Sequence, residues 1–242
     1  MSTVGTKELT ANVPAQFTTT SIGRKVLMAI TGLLLSAFVV VHLVGNLQIF
    51  IGQTQLNAYA HTLQSLGVIK WLFRLGLLLF VGIHIWEGVI TWWQNKQSRP
   101  VGYIKEDTIQ ATLASRTMIY TGLVIVSFVA YHLLHFTLIV TNPQYATPPP
   151  DAAGNFDAYK MVVLGFRNPI IAGVYIVAMF LLAFHLTHSF SSMFQTLGLN
   201  NNRYIDKLKF YGSLVAWLIF LAYISIPVAV LVGIVKLPGG GA

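Results

Sequence analysis

Five long runs of apolar residues, separated by polar segments, dominate the pattern along this chain. They lie at about 25–50, 70–95, 117–141, 168–196 and 209–236. Each is near or above the roughly 20 residues that an α-helix needs to cross a bilayer. The apolar positions are continuous rather than alternating, which argues against membrane strands. The pattern therefore predicts an all-α fold, a polytopic membrane bundle of five transmembrane helices, with 1–242 forming a single membrane domain.

Two polar stretches complete this outline. Residues 1–20 form a polar N-terminal segment without the apolar core of a cleavable signal peptide. Residues 142–167, between the third and fourth runs, are predicted to be an extracytoplasmic loop, irregular around Pro148, Pro149 and Pro150.

Basic residues predict the orientation of the five spans. Most of them precede the first run or lie in the loops after the second and fourth runs: Arg24, Lys25, Lys96, Arg99, Lys105, Arg116, Arg203, Lys207 and Lys209. Lys and Arg mark cytoplasmic loops, so we expect a cytoplasmic N-terminus and an external C-terminus. Lys70, Arg74, Lys160 and Arg167 on the opposite side weaken the contrast.

Composition supports a membrane protein and excludes several chemistries. The chain is 55% hydrophobic and 9% charged, whereas soluble domains carry about 25% charged residues. Its net charge of +8 clusters at span ends, which indicates topology rather than nucleic-acid binding. Because the chain has no cysteine, disulfides, thiolate chemistry and a cysteine-held iron–sulfur cluster within this chain are excluded.

Four histidines lie inside successive spans: His42, His84, His132 and His185. An ionisable residue within a membrane is costly and suggests a functional site. Counted along the helices, His42 and His132 each lie about 8 residues, or ~12 Å, from the outer end of their spans. His84 and His185 lie deeper, at ~21–26 Å. We call His42 with His132 the outer pair and His84 with His185 the inner pair, offset on the order of 10 Å.

Two level pairs of imidazoles suit two haem irons, each bound on both axial sides. A haem ligated in this way has no open position for substrate, so it carries electrons instead of making or breaking bonds. A single intramembrane histidine often only bonds a neighbouring helix. Four at paired depths favour the haem interpretation.

A weak internal repeat supports the pairing. Shifting the sequence by 90 residues aligns Thr31, Gly32 and His42 with Thr121, Gly122 and His132. The second and fourth spans align weakly beyond their histidines. The repeat predicts two related hairpins plus a fifth helix, and membrane proteins often build their sites between such repeats.

Several polar residues near the four histidines keep alternative roles. His135 and His188 follow His132 and His185 by three residues and share their helix faces, so either member of each couple is a possible ligand and the other a supporting residue or part of a proton route. Glu87 is either a proton carrier or partner of a ligand imidazole, or a carboxyl paired with Lys or Arg near the inner interface. His61, in a loop, is a possible proton donor to a quinone.

With these residues identified, the chain resembles the membrane-anchor cytochrome b subunit of succinate:quinone oxidoreductases and fumarate reductases, in its five-helix, two-haem form. The similar motifs, in order, are Ser21-Ile22-Gly23-Arg24-Lys25, His42-Leu43-Val44-Gly45-Asn46, His84-Ile85-Trp86-Glu87-Gly88, Tyr131-His132-Leu133 and Phe184-His185-Leu186-Thr187-His188-Ser189. They extend over nearly the whole chain, and five in order are far more specific than any one of them.

The resemblance implies a respiratory complex in a bacterial cytoplasmic (inner) membrane, linked to the tricarboxylic acid cycle. A flavoprotein subunit would oxidise succinate or reduce fumarate, and an iron–sulfur subunit would dock on the inner face of this non-succinate-binding subunit. Electrons would pass to two b haems, inner then outer, and on to a quinone, which is often menaquinone in two-haem members. His61, Asn46 and Gln48 are candidates for an outer quinone site, and Ser21 and Arg24 for an inner pocket or for haem propionate contacts.

Other functions remain open at this point. The same residues would suit a haem b anchor of another respiratory complex, such as a hydrogenase or a formate dehydrogenase. A proton or metal transporter would use the same histidines but usually has more buried carboxylates than Glu87 alone. A retinal protein needs a lysine deep in a span, and every lysine here lies at or outside the span ends.

Overall fold

A computed structural model describes residues 20–98, 101, 111–143, 150–151, 154–199, 201 and 203–238 of the chain. The polar segment expected over 1–20 lies, except for its last residue, outside the described residues. Pro148, Pro149, Arg99 and Lys105 are also outside them.

Every regular element within these residues is helical. The α-helices are α1 (Ser21–Leu47), α2 (Gln53–Ser65), α3 (Val68–Gln97), α4 (Leu113–Arg116), α5 (Met118–His132), α6 (Ala158–Phe166), α7 (Pro169–Thr196) and α8 (Ile205–Leu231). A 3₁₀ turn, Gln48–Phe50, extends α1, and a π-helical turn, Leu133–Thr137, extends α5. The prediction of an all-α fold is confirmed.

Five helical segments are long and apolar enough to cross a membrane. They are Ser21–Phe50, Val68–Gln97, Met118–Thr137, Pro169–Thr196 and Ile205–Leu231. Their ends lie within five residues of the predicted ends, because continuous hydrophobicity defines both the observed and the predicted spans. The chain is therefore a multi-pass membrane protein.

Helix α7 is the centre of the bundle. It packs against α8, α5 and α1, while α3 packs mainly against α1. The five long helices thus form the two predicted hairpins, α1 with α3 and α5 with α7, and α8 covers α7 and part of α1. Helix α3 lies at the periphery, with large apolar side chains such as Leu72, Phe73 and Trp86 exposed.

Local sequence explains where the long helices begin and end. The Thr20 hydroxyl accepts a hydrogen bond from the Gly23 amide and caps α1. Asn168 caps α7 in the same way, with Pro169 in the first turn, where its missing N–H costs nothing. Gly198, at φ 72°, closes α7 in a left-handed conformation.

The loop predicted over 142–167 is not irregular throughout. It contains α6, which is buried: Val163 is 1% and Phe166 5% exposed, and both belong to the largest hydrophobic cluster. Asp157 caps α6 by accepting from the Lys160 amide. The sequence did not predict α6, because short helices in loops depend on tertiary packing more than on hydrophobic length.

Helices α2 and α6 pack together at one end of the bundle, and we call them the cap. Asn57 of α2 is fully buried and donates to Asp157 at 3.0 Å and to Asp151 at 3.1 Å. Its side-chain carbonyl accepts from the Tyr159 amide at 2.9 Å. One asparagine therefore uses three hydrogen bonds to fasten the two helices of the cap.

Candidate functional site

The structure brings the four intramembrane histidines together as the two predicted pairs. In the inner pair, the rings of His84 on α3 and His185 on α7 have centroids 6.5 Å apart and planes at 64°. In the outer pair, the rings of His42 on α1 and His132 on α5 are 5.9 Å apart and at 82°. Each pair joins one hairpin to the other.

These separations fit a metal ion bound between two imidazoles. With metal–nitrogen bonds of about 2 Å, two rings on opposite sides of one ion have centroids about 6 Å apart. No group of three or more His, Cys, Asp or Glu side chains suited to a metal ion occurs among the described residues. Each pair offers two nitrogens, and a haem brings the other four itself, so this donor set fits the cofactor.

Threonines of α1 and α5, the other long helices of the two hairpins, contact the inner pair at Nδ1 of each ring. The Nδ1 atom of His84 lies 3.3 Å from the Thr31 hydroxyl and 3.2 Å from the Met28 carbonyl oxygen. The Nδ1 atom of His185 lies 3.0 Å from the Thr121 hydroxyl. In both rings these bonds occupy Nδ1 and leave Nε2 for a ligand.

A glycine follows each of the two threonines and lies beside the ring of the same histidine. A Cβ atom at Gly32 would lie 3.2 Å from Cε1 of His84, which is tighter than nine in ten real contacts. A Cβ atom at Gly122 would lie 3.6 Å from Cε1 of His185. A Thr-Gly dipeptide thus lies beside a histidine ring in each hairpin, closely at Gly32 and at ordinary van der Waals distance at Gly122.

The spacing along α1 gives the offset between the pairs. Thr31, which contacts His84, precedes His42 by eleven residues, and Thr121 precedes His132 by the same number. Eleven helical residues rise about 16 Å. The backbone levels that carry the two pairs are thus further apart than the offset on the order of 10 Å expected from span ends.

Aromatic side chains surround the outer pair. Phe38 stacks on His42, with centroids 5.3 Å apart and planes at 17°. The Tyr175 hydroxyl lies 3.4 Å from Nδ1 of His132. The Tyr223 ring approaches His42 at 6.5 Å while its hydroxyl donates to the Val39 carbonyl oxygen at 2.7 Å.

His135 occupies a different position from His132. It is 1% exposed, and its Nδ1 lies 2.8 Å from the Tyr175 hydroxyl. Its ring packs against Phe136 and Tyr131, whereas His132 is the ring that faces His42. On α7, the other helix of the same hairpin, His185 precedes His188 by three residues and faces His84. Of each couple, His132 and His185 are therefore the rings that lie opposite a histidine of the first hairpin.

Glu87 forms an ion pair with Arg24. The Arg24 guanidinium donates to the carboxylate at 2.9 Å, and Glu87 is 6% exposed. Of the two roles considered for Glu87, the paired carboxyl near the span end is the one with a contact. A cleft of about 480 Å³ lies close by, and its lining residues are Ser21, Lys25, Thr91, Gln94, Asn95, Gln97 and Ser98.

Of the three residues that the sequence suggested for an outer quinone site, two form hydrogen bonds with nearby residues and one is exposed. His61 is exposed on α2. The Asn46 amide donates to the His42 carbonyl oxygen at 2.7 Å, and the Gln48 side chain accepts from Gln55 at 3.0 Å. Gly45, which precedes Asn46 in the same motif, has a packing role, because a Cβ atom there would overlap the Tyr59 ring.

Sequence reasoning missed the residues that support the histidines. Thr31 and Thr121 were visible as repeat markers, and their equal spacing to His42 and His132 was the available signal. Tyr175 and Met28 gave no signal, because their contacts depend on how the helices pack.

Comparisons with protein-family models, with curated proteins and with solved structures gave no match. Function is therefore inferred from the residues of this chain and their geometry.

Proposed function

We propose that this chain is the dihaem cytochrome b membrane anchor of a succinate:quinone oxidoreductase, which passes electrons from an iron–sulfur subunit to a membrane quinone such as menaquinone. The observation that carries the proposal is the pair of bis-imidazole sites, at 6.5 and 5.9 Å, each built from one residue of each hairpin. His84 with His185, and His42 with His132, would hold the two haems.

The chain's own residues explain why electron transfer is the activity to expect. Haem b, when bound, would supply a one-electron centre, and His42, His84, His132 and His185 would hold it. Imidazoles facing each other leave no position for substrate, and the helices around them are apolar, which excludes water. Thr31, Thr121 and Tyr175 hold the outward-facing nitrogens of three of the four rings.

The remaining parts of the proposal rest on the motifs. A flavoprotein and an iron–sulfur subunit would bind at the bundle end that carries Ser21, with the N-terminus in the bacterial cytoplasm. The same geometry would serve a haem b anchor of a hydrogenase or formate dehydrogenase, so the copurifying subunits distinguish these complexes. A flavoprotein with succinate dehydrogenase activity supports the proposal, and a copurifying hydrogenase contradicts it.

Haem stoichiometry is the decisive test. The pyridine haemochrome of the detergent-purified complex should give two b haems per chain. His84→Leu or His42→Leu should each remove one haem, while His61→Leu, at an exposed position, should retain both. A preparation without haem b would overturn the proposal and favour a histidine-dependent proton or metal transporter.

A further inference from the structure

We propose that Thr31 and Thr121 are paired positioning residues, each of which fixes the tautomer and ring plane of one inner-pair histidine from the neighbouring helix. The inference rests on the proposed role of His84 and His185 as haem ligands and assigns a task to two residues that do not touch the iron. Three observations carry it: the partners of the threonine hydroxyls, the repetition of the contact, and the room that Gly32 leaves beside His84.

The direction of the bonds follows from the single proton of a hydroxyl. The Thr31 hydroxyl donates within its own helix, to the Leu27 carbonyl oxygen at 2.8 Å, with the Met28 oxygen at 3.2 Å. The Thr121 hydroxyl has carbonyl oxygens of its own helix at 3.1 and 3.2 Å. With that proton donated to the backbone, each threonine oxygen can only accept from the histidine.

In this arrangement both histidines carry their proton on Nδ1, and for His185 the tautomer rests, among the described residues, on Thr121 alone. The Met28 carbonyl, which only accepts, requires the same tautomer of His84. A neutral imidazole protonated on Nδ1 has its lone pair on Nε2, which is the nitrogen available to a metal. An N–H donated to an oxygen also makes the ring a stronger ligand and fixes its orientation.

The repetition argues against coincidence. A threonine in a helix often donates its hydroxyl proton to a carbonyl oxygen of its own helix. This tendency explains only the bonds in which the threonines are donors. It does not explain why both threonine oxygens also lie at hydrogen-bond distance from Nδ1 of an inner-pair histidine. Gly32, the residue after Thr31, leaves space for the His84 ring, because a Cβ atom there would lie 3.2 Å from its Cε1.

The two contacts are unequal, which gives the inference a specific signature. His84 Nδ1 has two acceptors, Thr31 and Met28. For His185, the acceptor found for Nδ1 in the described part of the chain is Thr121. Loss of the Thr121 hydroxyl should therefore affect its histidine more than loss of the Thr31 hydroxyl.

The test compares Thr31→Val and Thr121→Val in the assembled complex by redox titration and low-spin haem EPR. Valine keeps the shape of threonine and removes the acceptor. We expect the midpoint potential of one haem to rise, because a weaker imidazole ligand stabilises ferric iron less, while the other haem is unchanged. Haem retention during dilution should fall about 10-fold, with Thr121→Val the stronger of the two.

Matched variants separate this role from simple packing. Thr187→Val makes the same change in α7 at a hydroxyl that donates to the Phe184 carbonyl oxygen at 2.7 Å, and it should shift neither potential. Thr31→Ser and Thr121→Ser should restore both readouts. If a valine variant fails to assemble, the alanine variant removes the same oxygen and should give the same shift.

Two outcomes would overturn the inference, and they are distinguishable. If the wild-type complex holds two b haems but the valine variants match Thr187→Val in potential and EPR, the threonines only bond their own helices. If the wild-type complex holds no haem b, the proposed function fails first and the inference fails with it.

Discussion

At the scale of single residues, Tyr175 links the outer pair to its surroundings. Its hydroxyl lies between Nδ1 of His135, at 2.8 Å, and Nδ1 of His132, at 3.4 Å. If His132 binds a metal through Nε2, its Nδ1–H donates to the phenol oxygen and the phenol proton goes to His135. His135 then supports the ligand through Tyr175, which is why its burial at 1% exposure is compatible with function.

Tyr175→Phe tests this arrangement. The change removes the hydroxyl and leaves two buried imidazole nitrogens without a partner, which should lower the free energy of unfolding by about 1–3 kcal/mol. The potential of the outer haem should shift while that of the inner haem stays constant. Thermal unfolding and redox titration measure both effects. Tyr211→Phe, at a residue 60% exposed, is the control, and equal effects from both variants would refute the link.

A second residue-scale prediction concerns Tyr159 in the cap. Burial, and then the negative charge of Asp157, raise the pKa of its phenol, whose hydroxyl donates to the Lys236 carbonyl oxygen at 3.0 Å. The folded protein thus holds this proton more tightly than the unfolded chain. Its stabilising contribution is complete below the unfolded-state pKa of about 10 and is lost as the pH rises through the folded-state pKa.

Thermal unfolding measured between neutral pH and strongly alkaline pH should show this loss. Tyr159→Phe lacks the titrating group, so its unfolding temperature should fall less steeply above about pH 10. Identical slopes for the two proteins would show that Tyr159 does not couple folding to pH.

At the scale of helices, the sequence predicted the five spans but not the cap. Spans follow from long apolar runs, and the ends of α7 follow from Asn168, Pro169 and Gly198. Helices α2 and α6 are short, and α6 is held by burial of Val163 and Phe166 rather than by any long pattern. The candidate site was also predictable only in part. The depth of the histidines and the internal repeat predicted the two pairs, whereas the contacts that support the pairs depend on how the helices pack.

Asn57→Leu tests how the two helices of the cap are held together. The leucine would leave Asp157 and Asp151 without the amide donors at 3.0 and 3.1 Å, and a carboxylate deprived of a buried donor is costly. We expect a loss of about 3 kcal/mol and faster proteolysis within α2. Gln55→Leu, on the exposed side of the same helix, should have little effect. A stable Asn57→Leu cap would mean that apolar packing alone holds it.

At the scale of the whole molecule, the orientation of the bundle is a prediction that the absence of native cysteine makes easy to test. Exposed Ser98 follows the C-terminal end of α3, and exposed His61 lies in α2, before the N-terminal end of α3. Single cysteines at these two positions are therefore at opposite ends of this span. In intact cells a membrane-impermeant thiol reagent should label His61→Cys and leave Ser98→Cys unlabelled. After membrane disruption both should react. The reverse pattern in intact cells would place the N-terminus outside and contradict the expected docking face.

The way each pair is divided between the hairpins also bears on how the protein is made. A nascent chain that has inserted only α1 and α3 carries His42 and His84 as two single imidazoles, each without its opposite ring. His132 follows with α5, and His185 arrives only with α7. Neither binding site can be completed by the first half of the polypeptide, and the inner one closes last although its first ring is made early. If the pairs hold haem as proposed, cofactor capture is tied to a late step of membrane insertion, and an unfinished chain does not trap a reactive metal centre.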